Sequence, residues 1–216
     1  IREGIRRMYV HQEDVFYYLT VLNESYSMPP MPAGAEDGIL KGMYRLNEAA
    51  GKAQVHLFGS GSILNEALKA QDILRKDYEV AADVWSITSF KELHRDGVET
   101  ERWNLLHPES EPRIPYLTRC LEHAEGSFVV ASDYVKALPN SVARWFPRPP
   151  VALGTDGFGR SDGRGALRDF FEVDARYYVL GALGDLSRQG KLAKARVLEA
   201  RSALQIDPDK IDPLPN

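Results

Sequence analysis

Two glycine-rich stretches are the first candidates for chemistry in this sequence. One is GSGSIL at residues 59–64, between an apolar run and an amphipathic one. Backbone N–H groups at the start of a helix can hold an anion, so this stretch is a candidate phosphate-binding loop. A tight turn from strand to helix, capped by serines, is the interpretation that we favour. The residues concerned are Gly59, Ser60, Gly61 and Ser62.

The same stretch matches the dinucleotide-binding fingerprint only in part. That fingerprint places a third glycine, needed for close packing of helix on strand, where this sequence has Leu64. Asp83 follows Gly61 at about the separation expected of the ribose-binding acid. With one glycine missing, the pattern indicates nucleotide binding only weakly.

The second stretch is LGTDGFGRSDG at residues 153–163, which leads from an apolar run towards a helix. No Gly-Lys-Ser/Thr follows, so it is not a P-loop. Gly157, Gly159 and Gly163 would supply positive φ angles or close backbone approach. Arg160 could bind a phosphate or a carboxylate, but we favour a role in anchoring a neighbouring segment.

We therefore interpret the second stretch as a structural loop, followed by a helix whose N-cap is Asp162. At least one of Gly157 and Gly159 should have a positive φ. The residues that we assign to this structural loop are Asp156, Gly157, Phe158, Gly159, Arg160 and Ser161.

The remaining reactive side chains predict no active site. The five histidines have no metal-ligand spacing, and His56, inside an apolar run, is expected to be a packed, hydrogen-bonded side chain. Cys120 lies in an amphipathic segment without an activating base, which favours a buried thiol over a nucleophile. We assign no metal ligand and no catalytic residue to this chain.

Composition places the chain among ordinary soluble globular proteins. It has 216 residues, 44% hydrophobic and 27% charged, with a net charge of −4. An acidic balance gives no bulk attraction to nucleic acid or to an anionic membrane, and no apolar run approaches the roughly 20 residues of a membrane span. The single cysteine suits a reducing compartment, so we expect a cytoplasmic location.

Apolar runs alternate with helical patterns along most of the chain. This alternation predicts an α/β fold with a mostly parallel sheet covered on both faces. Residues 62–78 place Ile63, Ala67, Ala70 and Leu74 on one helical face. Residues 89–107 read as a helix broken near Gly97. The five strands predicted for the sheet are 43–49, 52–59, 80–87, 127–132 and 150–155.

The first 38 residues follow a different pattern. A helix ending near Tyr9 is followed by the apolar run DVFYYLTVL at 14–22, which predicts a buried strand. Residues 23–38 contain three prolines and no periodicity, as in an extended connector. A lone strand cannot form a sheet, and the chain begins at Ile1 without an initiator Met, so we expect it to be part of a longer polypeptide.

Seven segments together resemble the C-terminal part of the homodimeric bacterial pyruvate dehydrogenases. These enzymes are the decarboxylating first component of the pyruvate dehydrogenase complex and belong to the transketolase superfamily. Single motifs such as FGRS occur throughout that superfamily, but the whole set in order is specific, and it covers nearly the whole chain. The segments are 14–46, 55–64, 83–97, 101–108, 131–136, 153–162 and 171–186.

This resemblance implies a fold and a domain organisation. Residues 1–22 would be the end of the middle, pyrimidine-binding domain, residues 23–38 a linker, and residues 39–216 a transketolase-like C-terminal domain. That domain is expected to be a three-layer α/β/α structure on a mixed, mostly parallel five-stranded sheet, and to support the dimer.

The resemblance also implies a cofactor and partners. Thiamine diphosphate and Mg²⁺ would be bound by parts of the enzyme upstream of this chain, where the catalytic residues of the family also lie. The expected partners are the upstream part of the same enzyme, a second subunit and the lipoyl acyltransferase component. Two alternatives remain at this point: a stand-alone nucleotide-binding α/β domain and a partner-docking α/β domain.

Overall fold

The N-terminal residues form a small unit of their own. A computed structural model of the chain describes residues 1–22 and 24–214, and it divides between Met31 and Pro32 into two compact units. In the first unit, helix α1 spans Arg2–Ile5 and continues as a π-helical turn over Arg6–Val10. The predicted helix ending near Tyr9 is therefore confirmed.

The strand predicted at residues 14–22 is wrong for this chain. These residues have no strand conformation, and the side chains of Phe16, Tyr18 and Val21 are more than 80% exposed. A β-strand is stable only where a neighbouring strand pairs with its N–H and C=O groups. Among the described residues, no strand pairs with this segment, so its β-branched and aromatic composition does not produce one.

The second unit contains a mixed five-stranded sheet in the order β1-β3-β2-β4-β5. Strand β1 pairs antiparallel with β3, and the other three pairings are parallel. Each of the five predicted strands is present, and the α/β sheet is confirmed. The strands are β1 Met43–Asn47, β2 Val55–Ser60, β3 Ala82–Ile87, β4 Ser127–Ala131 and β5 Val151–Leu153.

Helices cover both faces of this sheet. Strand side chains alternate between two apolar clusters, as pleated strands require: Leu57 lies in one and the adjacent Phe58 in the other. The helices after α1 are α2 Glu36–Lys41, α3 Leu64–Tyr78, α4 Phe90–Leu106, α5 Tyr116–Cys120, α6 Ala137–Asn140, α7 Arg164–Phe170, α8 Ala175–Arg188 and α9 Lys194–Ala203. The first cluster includes residues of α3, α8 and α9, and the second includes residues of α4 and α5.

The apolar face predicted for residues 62–78 is the one that α3 presents to the sheet. Ala67, Ala70 and Leu74 are fully buried, and Ile63, in the 3₁₀ turn before α3, is 1% exposed. Two alanines on this face allow the helix to lie close to β2 and β3.

No helix among the described residues is long and apolar enough to cross a bilayer.

The break predicted near Gly97 does not occur, because α4 is continuous from Phe90 to Leu106. Glycine at this position answers a packing requirement. A Cβ on Gly97 would lie 2.3 Å from two ring carbons of Trp145, so only glycine lets the ring pack against the helix. The contact is distant in sequence, which is why the local pattern suggested a helix break.

Candidate functional site

Both glycine-rich loops lie beyond the carboxyl ends of parallel strands, where open α/β sheets commonly bind ligands. Gly59 and Ser60 end β2 and Gly61 and Ser62 follow it in the 3₁₀ turn, whereas the loop at 154–163 follows β5. Strand β4 separates β2 from β5 in the sheet. The two loops therefore lie at the carboxyl ends of strands that are not adjacent.

The Gly59–Ser62 loop is a tight turn into a helix, as its favoured interpretation requires. A Cβ on Gly59 would lie 2.6 Å from the Cα of Leu64, so glycine permits close approach of strand and helix. Gly61 has a φ of 53°, in the left-handed region. Both glycines are therefore explained by the local backbone and packing of this turn.

The capping role assigned to the serines is wrong. A 3₁₀ turn over Gly61–Ile63 precedes α3, and the N-cap of α3 is Ile63, which makes no side-chain capping bond. Ser60 is the N-cap of the 3₁₀ turn, also without a side-chain capping bond, and Ser62 is buried inside that turn. The intervening 3₁₀ turn moves the helix start beyond both hydroxyls.

The first turn of α3 already contains a buried carboxylate, that of Glu66. Its Oε1 accepts hydrogen bonds from Arg168 at 2.9 Å and Lys69 at 2.8 Å, and its Oε2 accepts one from the Ala175 N–H at 3.2 Å. An anion bound at the start of α3 would approach a like charge, whose cationic partners are already engaged. This arrangement disfavours a phosphate at the loop.

Asp83 is not placed as the ribose-binding acid of a dinucleotide fold. In the β2–β3 register Asp83 is opposite His56, three positions before Ser86, which is opposite Gly59. At about 3.3 Å per residue, this is roughly 10 Å along the strands from the loop. Asp83 therefore lies near the amino ends of the strands, whereas the glycine loop follows their carboxyl ends.

At that end Asp83 is a buried, ionised carboxylate. Its Oδ1 accepts a hydrogen bond of 2.8 Å from the Ala49 N–H, and its Oδ2 lies 3.5 Å from His56 Nδ1 and from Arg45. Burial alone would raise the pKa of Asp83, but these partners outweigh it and hold the pKa below its ordinary value. His56 is buried and stacked on Phe128 with ring centroids 5.1 Å apart, as expected of a packed histidine.

Hydrogen bonds connect the loop after β5 to the segment after β4. Asp156 Oδ1 accepts a bond of 2.8 Å from the Lys136 N–H, and the Thr155 N–H donates to the Tyr134 carbonyl at 2.9 Å. A Cβ on Gly154 would lie 2.6 Å from that same carbonyl oxygen. The start of this loop is thus held against its neighbour by its own side chains and backbone.

The glycines of this loop differ in what the fold requires of them. Gly157 has a φ of 93°, which confirms that at least one of Gly157 and Gly159 is left-handed. Gly159 and Gly163 have ordinary backbone angles and open space where a Cβ would stand, so the roles expected for these two are wrong. Arg160 stacks on the Phe170 ring, with its guanidinium carbon 4.3 Å from the ring centroid.

The N-cap of the following helix was also predicted wrongly. Helix α7 begins at Arg164 with Gly163 as its N-cap. The Asp162 carboxylate instead accepts a bond of 2.6 Å from the adjacent Gly163 N–H, one residue too early to cap the helix. Phe158 and Ser161 are exposed at the surface of this loop.

No metal-binding cluster occurs in the part of the chain that the structure describes. Within residues 1–22 and 24–214, no three His, Cys, Asp or Glu side chains are placed to hold a metal ion. A magnesium–diphosphate group needs oxygen ligands beside a phosphate-binding loop, and Glu66, the carboxylate in the first turn after the Gly59–Ser62 loop, is already neutralised.

The family is decided by a comparison with family models. Residues 42–174 match the model of the transketolase-like C-terminal domain. The chain belongs to this transketolase C-terminal domain family. The match begins in the loop before β1, includes all five strands of the sheet, and ends at Asp174, the residue before α8.

Relatives of this transketolase C-terminal domain extend the similarity to the rest of the chain. It is 48% identical over 217 residues to the pyruvate dehydrogenase E1 component of Pseudomonas aeruginosa, covering 99% of this chain and 25% of the relative. The protein of the same name from Escherichia coli K12 is 49% identical, with 99% of this chain and 24% of the relative covered. The chain thus spans about a quarter of these relatives and matches their C-terminal part.

Solved structures of transketolases are similar at a lower level. The transketolase from Leishmania mexicana is 19% identical, with a TM-score of 0.48, over 70% of this chain and 19% of that one.

Proposed function

We propose that this chain is the C-terminal part of a thiamine diphosphate-dependent pyruvate dehydrogenase E1 component. In the proposed reaction pyruvate loses CO₂, and its two-carbon unit passes to the lipoyl group of an acyltransferase partner. The lipoyl disulfide accepts two electrons in that transfer and becomes S-acetyldihydrolipoyl. The cofactor and Mg²⁺ would be bound by upstream parts of the enzyme.

One observation carries this proposal: the similarity of 48–49% identity extends over 99% of the chain. It includes the residues before and after the family match at 42–174, which a shared C-terminal domain alone would not require. The relatives with this similarity are named pyruvate dehydrogenase E1 components.

Within that enzyme the chain would be a scaffold. Three groups in or next to its two loops make internal contacts: Gly59 lies against Leu64, Glu66 pairs with Arg168, and Asp156 accepts a hydrogen bond from the Lys136 N–H. We assign to this domain the support of the fold and of the homodimer, and to the upstream parts the binding of the cofactor and the catalytic residues.

The N-terminal residues would complete a neighbouring domain. We propose that residues 1–22 end the middle, pyrimidine-binding domain, that residues 23–38 are a linker, and that the C-terminal domain begins at residue 39. The exposed apolar side chains of Phe16, Tyr18 and Val21 support this assignment, because a strand added to the sheet of the middle domain would bury them. A cytoplasmic location fits this role.

Complementation of two fragments tests the proposal. The upstream part of the parent polypeptide is expressed alone and together with the 216-residue chain, and release of CO₂ from pyruvate is measured with thiamine diphosphate and Mg²⁺ present. We expect turnover only when both parts are present. Turnover by the 216-residue chain alone would contradict the proposal, as would an upstream part that is fully active and dimeric without it.

A further inference from the structure

Helix α7 contributes little to the core of the domain. None of its seven residues, Arg164–Phe170, is buried, whereas the next helix, α8, buries eight of its fourteen. Leu167 and Phe170 are partly buried against the first apolar cluster. A helix of two turns is not stable by itself in water, so α7 depends on its tertiary contacts.

The loop that leads into α7 is exposed and rich in glycine. The ten residues 157–166, which end in the first turn of α7, are all exposed, and four of them are glycines. The Asp156 carboxylate fixes the start of the loop through its bond from the Lys136 N–H. The middle of the loop rests on α7, because the Arg160 guanidinium stacks on the Phe170 ring. The position of the loop therefore depends on the position of the last turn of α7.

The ammonium group of Lys210 holds that last turn. It donates hydrogen bonds to the carbonyl oxygens of Asp169 and Phe170, the second at 3.2 Å, and to the Tyr177 hydroxyl at 3.0 Å. The C=O groups at the carboxyl end of a helix carry partial negative charge, and a cation is favourable there. Three acceptors match the three N–H donors of a lysine. The bonding capacity of this ammonium is therefore used within the fold.

The Lys210 side chain is unusually enclosed for a lysine. It is 19% exposed, and its Nζ lies 3.9 Å from Glu172 Oε1 and 5.1 Å from the centroid of the Tyr177 ring. Lysines are seldom enclosed to this extent unless their charge is paired, since burial removes the water around the charge. The contact with α7 is therefore a specific one.

Lys210 belongs to the segment after α9, residues 205–214, which we call the strap. Ile206 and Pro213 of the strap are buried, whereas Ile211, the apolar neighbour of Lys210, is exposed. The strap is thus fixed at separate points, and at one of them a charged side chain is enclosed while the apolar residue beside it faces water. This pattern indicates that the bonds of Lys210 to α7 set the path of the strap.

We propose that the strap is a conformational device: through Lys210 it holds α7 and the glycine-rich loop in place, and its release lets both move while the sheet stays folded. Phe170 links the two parts, because its carbonyl accepts a bond from Lys210 and its ring supports Arg160. Elements with few buried contacts open at a lower free energy than the core does. The inference does not rest on the proposed reaction.

Hydrogen exchange, measured by mass spectrometry on the whole polypeptide that contains this sequence, tests the strap. The reporters are the amides of Phe171, Glu172 and Val173, which donate hydrogen bonds to carbonyl groups of α7. In Lys210→Met they should exchange at least tenfold faster than in the wild type, while the amides of β2 and β4 change less than twofold. Trypsin cleavage after Arg160 should become at least threefold faster, because the loop loses its support.

Lys194→Met is the matched control, since it removes the same charge from an exposed position in α9. Exchange at the reporters and cleavage after Arg160 should stay within twofold of the wild type. If Lys210→Met does not fold, Tyr177→Phe takes its place. This variant keeps the lysine but removes one of its three acceptors, and the reporters should exchange at least threefold faster.

Selective acceleration in α7 and the loop, absent from Lys194→Met, supports the proposal. Unchanged exchange at the reporters would overturn it. Equal acceleration in α7 and in the central strands would also overturn it, because Lys210 would then stabilise the whole domain. Faster exchange in α7 with unchanged cleavage after Arg160 would contradict the link between the strap and the loop.

Discussion

Replacement of Gly97 by alanine should strain the packing of α4 against the Trp145 ring. The new Cβ would lie 2.3 Å from Cε2 and Cζ2 of Trp145, whereas carbon atoms in contact are ordinarily about 3.5–4.0 Å apart. Relief requires the ring or the helix to move by more than about 1 Å. The ring is restrained, because Trp145 Nε1 donates a bond of 2.8 Å to Glu101 and the Trp145 carbonyl accepts one of 2.9 Å from Thr118.

The expected cost of Gly97→Ala follows from two opposing effects. Overpacking of a filled core destabilises by about 1–3 kcal/mol, and loss of the bond from Trp145 to the charged Glu101 adds about 1.5 kcal/mol or more. In a helix interior alanine is more favourable than glycine by about 1 kcal/mol, and this gain offsets part of the loss of stability. The net loss should be about 2 kcal/mol, which lowers the melting temperature by roughly 4–8 °C for a domain of this size.

Urea unfolding followed by tryptophan fluorescence measures this loss on the 216-residue chain. The matched control is Gly165→Ala, also in a helix, where a Cβ would meet nothing within 4 Å. We expect the control to be as stable as the wild type or up to about 1 kcal/mol more stable, because it gains helix propensity without a clash. Equal stability of the two variants would refute the packing explanation of Gly97.

Two further predictions concern the loop after β5 and the amino end of β3. Gly157→Ala should lower the free energy of unfolding by about 1 kcal/mol or more because Gly157 has a φ of 93°, whereas Gly159→Ala in the same loop should be nearly neutral; equal effects in urea unfolding would contradict the prediction. Asp83→Asn should cost about 1–3 kcal/mol at pH 7. Because the pKa of Asp83 is lower in the folded chain, its stabilisation is complete above the unfolded pKa near 4 and is lost as the pH falls through the lower folded value. The difference between wild type and variant should therefore shrink in unfolding experiments at about pH 3, and a constant difference would show that the charge of Asp83 does not stabilise the fold.

The sheet and its covering helices could be predicted from sequence because their signals are local. The central strands are nearly continuous apolar runs, as expected of parallel strands buried on both faces. The face of α3 repeats at helical spacing, with Ala67, Ala70 and Leu74 all buried. Asp174, N-cap of α8, bonds the Arg176 N–H through its carboxylate and so marks that helix start in the sequence.

The wrong predictions concern segments whose structure depends on contacts with residues distant in sequence, or on the absence of such contacts. Gly97 reads locally as a helix breaker, and only the Trp145 ring explains it. Residues 14–22 have the composition of a strand, but pairing requires a neighbouring strand, and the described residues offer none.

A cavity of 340 Å³ at the amino ends of β2 and β3, lined by His56, Asp83 and Trp85, could not be predicted for a similar reason. A partial signal was present, since His56 and Asp83 are polar residues inside apolar runs and lie opposite each other in the register. Arg45 and Arg119, which also line this cavity, are 74 positions apart in the chain. No local pattern links these residues.

The central claim is that this domain supports the cofactor site of a larger enzyme without forming that site. Calorimetry with thiamine diphosphate and Mg²⁺ on the purified 216-residue chain tests it most directly. We expect no measurable binding by the chain alone and recovered binding once the upstream part is added. Micromolar binding to the chain alone would contradict the claim and would place the cofactor site within these residues.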